Sequence, residues 1–332
     1  MALSRRTAAF LAAAGLLIVA AIVLTIILVR AAQAPHAPAQ GTVVVASALS
    51  KANDAAAEAA DGSPEQAAAQ YLSEQPTAVW LTPEGEPVDQ VGERIAQLAV
   101  EARAQSARIA VVVYGLPGRD CGGHSAGGLD ADAYAAWTDA IGEALRDAAD
   151  TSPIVLLEPD SLALAPECGN VAERVEQVSG AVESLAADST WIYVDGGHSD
   201  WLPAERMAEL IGQVDRASRA DGGGIRGFVT NVSNFMATDD EVAYAHDVAS
   251  HLDDLHAIVD TSRNGAGSNG EWCNPPGRLV GDPGGTIGDD VVDTNLWVKP
   301  PGESDGDCNG GPAAGRWWPE GAVELTRDAV PE

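Results

Sequence analysis

The feature that most constrains the fold is a repeating alternation of short, continuous apolar runs with longer segments of helical periodicity. The apolar runs recur roughly every 30 to 45 residues, the size of a strand–helix–strand unit. Continuous runs, rather than alternating apolar and polar residues, are typical of strands that are covered on both faces. The seven runs are Ala78–Leu81, Ile109–Tyr114, Ile154–Leu157, Trp191–Val194, Gly227–Thr230, Ala257–Val259 and Asn295–Val298.

The segments between the runs read as helices. Alternating strands and helices joined by right-handed crossovers predict a parallel sheet. About seven such units favour an α/β fold in which the sheet closes into a barrel or near-barrel within one domain. An open, doubly wound sheet is the alternative. The five candidate helices are Val88–Gln105, Ala131–Ala149, Val171–Ala186, Ala204–Arg219 and Asp239–Leu252.

Composition narrows the classes of partner. With 49 acidic and 19 basic residues the chain carries a net charge of -30, which argues against a nucleic-acid partner. Only two lysines are present, Lys51 and Lys299. The 8 tryptophans outnumber the 3 phenylalanines and the 5 tyrosines, which indicates either ring-stacking surfaces or a tryptophan-rich core.

The first 34 residues differ from the rest. Arg5 and Arg6 precede an uncharged, mostly apolar stretch over residues 7–29, and Ala32-Gln33-Ala34 resembles a signal-peptidase site. The stretch is long enough to span a bilayer. Residues 1–34 are therefore expected to be a cleaved signal peptide or a membrane anchor, and both place the remainder outside the cell, secreted or on the extracellular face of the membrane.

Residues 35–75 are rich in alanine and read as a linker with one helix, around Lys51–Ala60, leading into a main domain at residues 76–332. The chain has four cysteines and no CxxC pair, which fits export and disfavours a zinc ribbon. Three pairings are open. Two local bridges, 121–168 and 273–308, would each contribute roughly 3–4.5 kcal/mol.

Polar, titratable and aromatic residues follow nearly every apolar run. In parallel barrels the carboxyl edge of the strands is where binding and catalytic sites are built. We therefore expect the site at this edge. The residues placed there are Trp80, Tyr114, Asp120, Glu158, Asp160, Asp195, His198, Trp201, Asn231, Asp260, Lys299, Glu303 and Asp305.

Several short motifs suggest other chemistry. Gly123–Gly127 matches the G-x-S-x-G nucleophile motif around Ser125, but the preceding strand ends too early for a nucleophile elbow. Asp305–Gly310 begins like a calcium-binding loop but lacks the acidic residue at its twelfth position. Asn231 heads a glycosylation sequon, and no HExxH motif exists, so no catalytic metal is expected.

The carboxylates offer a stronger hypothesis. Asp160 follows a buried run, and burial raises the pKa of a carboxyl group. Asp120, on the loop after the neighbouring strand, would raise the pKa of Asp160 further by like-charge repulsion. A carboxyl group that keeps its proton near neutral pH is suited to general acid catalysis.

The residues in these loops are similar to those of glycoside hydrolase family 6, the cellulase family of endoglucanases and cellobiohydrolases. The similarity extends from about Ala78 to Glu320. Its motifs are AVWLT, VVYGLPGRDCGGHSAGG, LLEPDSLA, YVDGGHSDWL, GFVTNVSNF, VDTSRNG, EWCNPPGR and LWVKPPGESDG. The resemblance implies a distorted seven-stranded parallel barrel as the catalytic domain. It also implies inverting hydrolysis of β-1,4-glucosidic bonds in cellulose, related β-glucans or cello-oligosaccharides, without a metal or organic cofactor.

The resemblance also implies roles for single residues. Asp160 corresponds to the general acid, Asp120 to a carboxylate that tunes it and orders the water, Tyr114 to a residue favouring a distorted sugar, and Asp305 to the proposed base. The substrate-binding residues that it implies are Trp80, Asp195, His198, Trp201, Asn231, Trp272, Lys299 and Glu303. It implies the disulfides Cys121–Cys168 and Cys273–Cys308.

In this family two enclosing loops distinguish exo-acting, tunnel-shaped members from endo-acting members with an open cleft. The segments after Asp160 and after Cys273 are short here, which favours an endoglucanase. The protein is expected to be a monomer. The alternatives are an exo-acting cellobiohydrolase and a non-catalytic glucan-binding protein at the cell surface. A serine hydrolase using Ser125 is a further, less favoured alternative.

Overall fold

The computed structural model describes residues 35–220 and 222–330. The described residues from Ala37 onward belong to one compact unit. The predicted signal or anchor segment, residues 1–34, lies outside the described residues. Among the residues that are described, no helix combines the length and the apolar character needed to cross a membrane.

Seven parallel strands form one sheet in which each strand pairs with its neighbours in the sequence, in the order β1 to β7. This sequential order confirms the predicted barrel-like α/β fold and is incompatible with a doubly wound sheet, whose strand order reverses. The strands are β1 Val79–Leu81, β2 Ala110–Val113, β3 Ile154–Leu157, β4 Trp191–Asp195, β5 Gly227–Thr230, β6 His256–Asp260 and β7 Val292–Leu296.

All five predicted helices are present, and each of their ends lies within three residues of the predicted one. Within the described residues the helices are α1 Lys51–Glu58, α2 Pro64–Ser73, α3 Val91–Gln105, α4 Ala131–Asp147, α5 Ser161–Cys168, α6 Val171–Leu185, α7 Ala204–Ala220, α8 Thr238–Ser250 and α9 Pro319–Thr326.

The strands read as continuous apolar runs because both of their faces are buried. In β2, Val111 and Val113 belong to the large apolar cluster between the sheet and the helices, whereas Ala110 and Val112 belong to the cluster inside the barrel. Side chains alternate between the two faces of a strand. A strand with apolar partners on both sides therefore needs apolar residues at every position.

The barrel is distorted where its first and last strands meet. β1 and β7 share one isolated bridge, between Thr77 and Trp297, in which the Ala78 N–H donates to the Trp297 carbonyl at 2.9 Å. The Trp80 indole N–H donates to the Val298 carbonyl at 2.9 Å just above it. Within the described residues, β1 and β7 are thus joined by isolated contacts and not by a regular strand ladder.

The segment predicted as a linker contains two helices instead of one, and from Ala37 it belongs to the same compact unit as the barrel. Both helices have serine N-caps, and α2 also has Pro64 at its first position, a favourable start. Small alanines let them approach closely: Ala52 and Ala68 pack with Trp297 in a third apolar cluster.

A polar cluster inside the barrel centres on Asp293. The Arg226 guanidinium donates to both Asp293 oxygens at 2.8 Å, and the Tyr193 hydroxyl donates to one of them at 2.5 Å. His256 Nδ1 lies 3.1 Å from the other oxygen. These residues lie within or next to the four consecutive strands β4 to β7, so their contacts connect these strands.

Candidate active site

A cleft of about 1130 Å³ lies at the carboxyl edge of the sheet, as predicted. Sites for small molecules typically measure roughly 300–1,000 Å³, so this cleft has room for an extended ligand. It brings together ten of the twelve predicted catalytic and binding residues: Trp80, Tyr114, Asp120, Asp160, His198, Trp201, Trp272, Lys299, Glu303 and Asp305.

Asp160 lies between β3 and α5 and is partly accessible from the cleft. Its pKa is raised from 3.8 to about 7, first because the carboxyl is surrounded by protein and then because Asp120 and Asp305 are negatively charged. The Lys299 ammonium opposes this shift. Near neutral pH a substantial share of the molecules therefore carries a protonated Asp160, which is the state required of a general acid.

Glu158 joins the loop after β2 to the end of β3. Its buried carboxyl accepts the Gly115 N–H at 2.9 Å and the Tyr134 hydroxyl at 2.9 Å, and burial raises its pKa to about 7. Glu158 and Asp160 both have left-handed backbones, with φ of 53° and 67°. Non-glycine residues rarely adopt this conformation, and such strain concentrates at functional sites.

Tyr114, Ser125 and Asp120 form a hydrogen-bonded chain on one wall of the cleft. The Tyr114 hydroxyl lies 2.9 Å from Ser125 Oγ, and the hydroxyl and N–H of Ser125 donate to one Asp120 oxygen at 2.9 and 2.8 Å. The pKa of Tyr114 is raised, mainly by burial and then by the charge of Asp160. Tyr114 therefore remains a neutral phenol. Ser125 is the member of this chain whose role the sequence left open.

These contacts argue against Ser125 as a nucleophile. β2 ends at Val113, well before Ser125, so the strand–turn–helix geometry of a nucleophile elbow is missing. The described hydroxyl partners of Ser125 are Tyr114 and Asp120, whereas the neighbouring His124 packs its ring edge-on against Trp272 at 5.4 Å between centroids.

The loop that carries Asp120 is held from several sides. The buried Arg119 guanidinium donates to the carbonyls of Tyr114 and Ser125 at 2.9 and 2.8 Å and pairs with Glu84 at 3.0 Å. The bond Cys121–Cys168 attaches the loop to the end of α5. Together with the second bond, Cys273–Cys308, it confirms the pairing implied by the family resemblance.

Asp305 lies among cations and backbone donors. Arg263 Nη1 donates to its two oxygens at 2.9 and 3.0 Å, the Asn274 N–H donates to one of them at 3.0 Å, and Lys299 Nζ lies 3.7 Å away. The side chains of Arg263 and Asp305 are only 3% and 5% exposed. The sequence analysis assigned no role to Arg263 or Asn274, although both lie in the motifs after β6.

Lys299 is positioned by a buried carboxylate. The Asp260 oxygens accept the N–H groups of Val298 and Lys299 at 3.1 Å each, which fixes the chain just after β7. The Lys299 ammonium then lies 5.6 Å from the centre of the Trp80 ring, and burial lowers its pKa. Trp80 in turn packs edge-on against Tyr114 at 5.3 Å.

The predicted stacking residues occupy different parts of the cleft. Trp272 is 55% exposed, which is unusual for a side chain of this size and leaves its indole ring accessible. Trp201 is partly buried and lies 5.5 Å from the His198 ring. Burial lowers the pKa of His198, so its ring is neutral at neutral pH. These rings offer apolar faces to a ligand.

Two predicted cleft residues lie beneath the surface instead. Asn231 is fully buried, and its amide nitrogen donates to the carbonyls of Met236 and Asp260 at 3.2 and 2.9 Å. It joins the ends of β5 and β6 and is inaccessible to a ligand or a glycan. Asp195 is also buried and accepts the Gly197 N–H at 3.0 Å. Burial, followed by the charge of Asp160, raises the pKa of Asp195 well above its ordinary value.

Comparison with known proteins gives a consistent result. The profile of glycosyl hydrolases family 6 matches residues 39–329. Endoglucanase A of Cellulomonas fimi is 43% identical over 220 residues, which cover 66% of this chain and 47% of that protein. Endoglucanase A of Thermobispora bispora is 41% identical over 70% of this chain and 51% of its own length. The chain thus spans about half the length of these relatives.

The fold comparison agrees with the sequence comparison. The endoglucanase Cel6 from Mycobacterium tuberculosis, solved in complex with methyl-cellobiosyl-4-deoxy-4-thio-β-D-cellobioside, superposes with a TM-score of 0.78 at 35% identity. The superposition covers 87% of this chain and 97% of that one. From the match of the profile and the shared barrel and motifs, we conclude that the chain belongs to glycosyl hydrolases family 6.

Proposed function

We propose that this protein hydrolyses internal β-1,4-glucosidic bonds of cellulose or a related soluble β-glucan, with inversion at the anomeric carbon. The observation that carries the proposal is Asp160, a carboxyl with a pKa of about 7 at the floor of a long cleft. Inverting glycosidases need a protonated carboxyl for the leaving oxygen and a route for the proton of the attacking water.

In the proposed reaction the Asp160 proton passes to the glycosidic oxygen as the bond from that oxygen to the anomeric carbon breaks. A water molecule attacks the same carbon from the opposite face, and its oxygen forms the new bond. The proton that this water loses passes to a carboxylate, which restores the balance of charge. Asp120 and Ser125 supply hydrogen-bonding groups close to this centre, and Tyr114 packs beside it.

Asp305 is the candidate for accepting that proton. Its two oxygens already accept hydrogen bonds from Arg263 and Asn274. Taking up a proton would remove the negative charge that Arg263 and the nearby Lys299 ammonium stabilise, so Asp305 is a weak base in this arrangement. A relay through a further water to Asp120 is the second route, and the hydrogen-bonded Asp120–Ser125–Tyr114 chain favours it.

Binding is proposed to use two kinds of contact. The apolar C–H faces of the glucosyl rings pack on the indoles of Trp80, Trp201 and Trp272, whereas the hydroxyls bind Lys299 and Glu303. The Mycobacterium tuberculosis structure contains a thio-linked cello-oligosaccharide, which supports a β-1,4-glucan as the ligand. The polymer is uncharged, so the net charge of -30 does not oppose binding.

Endo-action is supported by relatives named endoglucanases at 41–43% identity, against 32% for the cellobiohydrolase CEL6B of Podospora anserina. One contact favours the exo-acting alternative. The edge of the His124 ring meets Trp272, which joins the loop after β2 to the loop after β6 at the rim of the cleft. Such a contact would help to enclose a glucan chain.

The test is the viscosity of a soluble substituted cellulose, together with NMR of the anomeric protons released. Endo-action lowers the viscosity rapidly, and inversion at the anomeric carbon releases the α-anomer first. Asp160→Ala abolishes both signals, whereas the exposed Asp188→Ala serves as a matched control and keeps them. Release of mainly cellobiose without viscosity loss would favour exo-action, and binding of cello-oligosaccharides without cleavage would favour a glucan-binding protein.

We further propose that the enzyme acts outside the cell as a monomer, tethered through residues 7–29 or secreted after cleavage of residues 1–34. Two disulfides support an oxidising compartment. Fractionation of cells expressing the full chain, with N-terminal sequencing of the product, distinguishes the two. Recovery in the cytoplasm would reject both, and light scattering on the purified protein tests the monomer.

A further inference from the structure

Lys51 is the one lysine to which the proposed reaction gives no role. It begins α1, far in sequence from the residues that it contacts. Its ammonium donates to Glu303 Oε2 at 2.9 Å and to the Gly315 carbonyl at 2.6 Å. Lys51 and Lys299, the two lysines of an otherwise acidic chain, therefore line the same cleft.

The cleft is also lined by residues that lie outside the group around Asp160. Some of them come from α1 and from the end of α2 with the residues after it, and others come from the segment after β7. They carry hydroxyl and amide groups and one indole, a combination suited to a sugar. We call this region the distal cleft and define it by Ser50, Lys51, Ser73, Gln75, Thr77 and Trp317.

The Lys51–Glu303 pair keeps unused hydrogen-bonding capacity. An ammonium has three donors, and Glu303 and Gly315 take two of them. The Lys51 side chain is 52% exposed, so the third donor is accessible. Among the residues described, the other carboxylate oxygen, Glu303 Oε1, has no hydrogen-bond partner. One free donor beside one free acceptor suits neighbouring hydroxyls of a glucosyl ring.

Trp317 completes the region next to this pair. An antiparallel bridge joins it to Glu303, and the six-membered part of its indole packs over Gly302, whose φ of 89° and missing side chain allow the close approach. Because Trp317 is only partly buried, part of its ring is open to the cleft.

We propose that the distal cleft is a further glucosyl-binding subsite and that Lys51 is its specificity-determining residue. The proposal rests on the proposed β-glucan hydrolysis and names a binding position for glucosyl units outside the group around Asp160. A longer chain would gain contacts there that a shorter chain cannot reach.

The test measures kcat/KM for cello-oligosaccharides of increasing length, from cellotriose to celloheptaose. In the parent, kcat/KM keeps rising until the distal cleft is filled. In Lys51→Met the ratio of kcat/KM for the longest to the shortest cleaved substrate falls roughly tenfold, about the worth of one hydrogen bond to a charged group. Lys51→Arg, which keeps charged donors, restores most of this ratio.

Arg103→Met is the matched control. It removes a half-exposed cation, 45% accessible, from a surface ion pair with Asp150 outside the cleft. The ratio stays at the parent value in this variant. Thermal unfolding of all the variants shows whether the Lys51–Glu303 bridge also contributes to stability.

Three outcomes separate the alternatives. The subsite is overturned if the ratio is unchanged in Lys51→Met, or if kcat/KM falls by the same factor for substrates of every length. Lys51 would then only connect α1 to the loop after β7. If the parent cleaves none of the oligosaccharides, the proposed function fails instead. In that case titration calorimetry with the same oligosaccharides tests the subsite. If the subsite exists, affinity increases with chain length more steeply in the parent than in Lys51→Met.

Discussion

Replacing Asp160 by asparagine is expected to inactivate the enzyme and at the same time to stabilise its fold above neutral pH. The folded-state pKa of Asp160 is about 7, whereas the ordinary value is 3.8. Between these two values the folded protein binds more protons than the unfolded chain, so the free energy of unfolding falls as the pH rises. The charged Asp160 carboxylate therefore destabilises the fold. This effect reaches its full size above pH ~7 and is absent below pH ~4.

The magnitude follows from the same two pKa values. The difference of about 3 units corresponds to roughly 4 kcal/mol as an upper bound. Asp160 is partly accessible from the cleft, and solvent screens part of its interaction with neighbouring charges, so we expect about half of this, roughly 2 kcal/mol. For a domain of this size that corresponds to an increase in Tm of about 4 °C.

The assay is thermal unfolding of the parent and of Asp160→Asn at intervals between pH 4 and pH 8. The difference in Tm should be close to zero at the acid end and should grow to its full value at the alkaline end. Asp188→Asn, at an exposed position outside the cleft, is the control variant. A constant difference across this range would refute the assignment of a raised pKa to Asp160, whatever the effect on activity, which we expect to fall about 10²–10⁴-fold.

Three further outcomes can be measured. Asp120→Asn removes the like charge that raises the pKa of Asp160, so the carboxyl titration of Asp160, followed by ¹³C NMR, should move to lower pH; an unchanged or higher pKa would contradict the coupling. Asp293→Asn leaves Arg226 without its carboxylate partner and should lower the free energy of unfolding, measured in urea, by about 3–5 kcal/mol. A loss below about 1 kcal/mol would show that the Asp293 cluster does not stabilise the barrel. Cys121→Ser opens a loop with a sequence separation of 47 residues and should lower stability by about 4 kcal/mol, and equal stability of variant and parent under oxidising conditions would reject this.

The strands and the main helices were predictable because their signals are local. A strand covered on both faces must be apolar at every position, so Ile154–Leu157 and Gly227–Thr230 were predicted with the bounds that the structure has. Helix α2 was missed because its many alanines give a weak apolar periodicity, although Ser63 and Pro64 mark its start. The surface that makes this helix stable, around Trp297, is more than 200 residues away in the sequence.

The site was predictable as a set of positions but not as a set of contacts. Because the carboxyl ends of parallel strands meet at one edge, residues such as Asp160 and Lys299 could be placed together from the order of the motifs. The same rule placed Asn231 in the cleft, but the structure buries its side chain beneath the cleft surface. A strand-end residue can point into the cleft or into the core, and the backbone conformation after β5 decides which.

The amino-acid sequence by itself determined the seven strand–helix units, the edge at which the site is built and the residues that carry its chemistry, since each of these depends on the chemical nature of neighbouring residues. Only the tertiary structure decided the pKa of Asp160, the cations around Asp305 and the contact of Lys51 with Glu303 across 252 residues. The physical reason is that burial and electrostatic interactions depend on distances between groups. The chain sets those distances only after its remote segments have packed together.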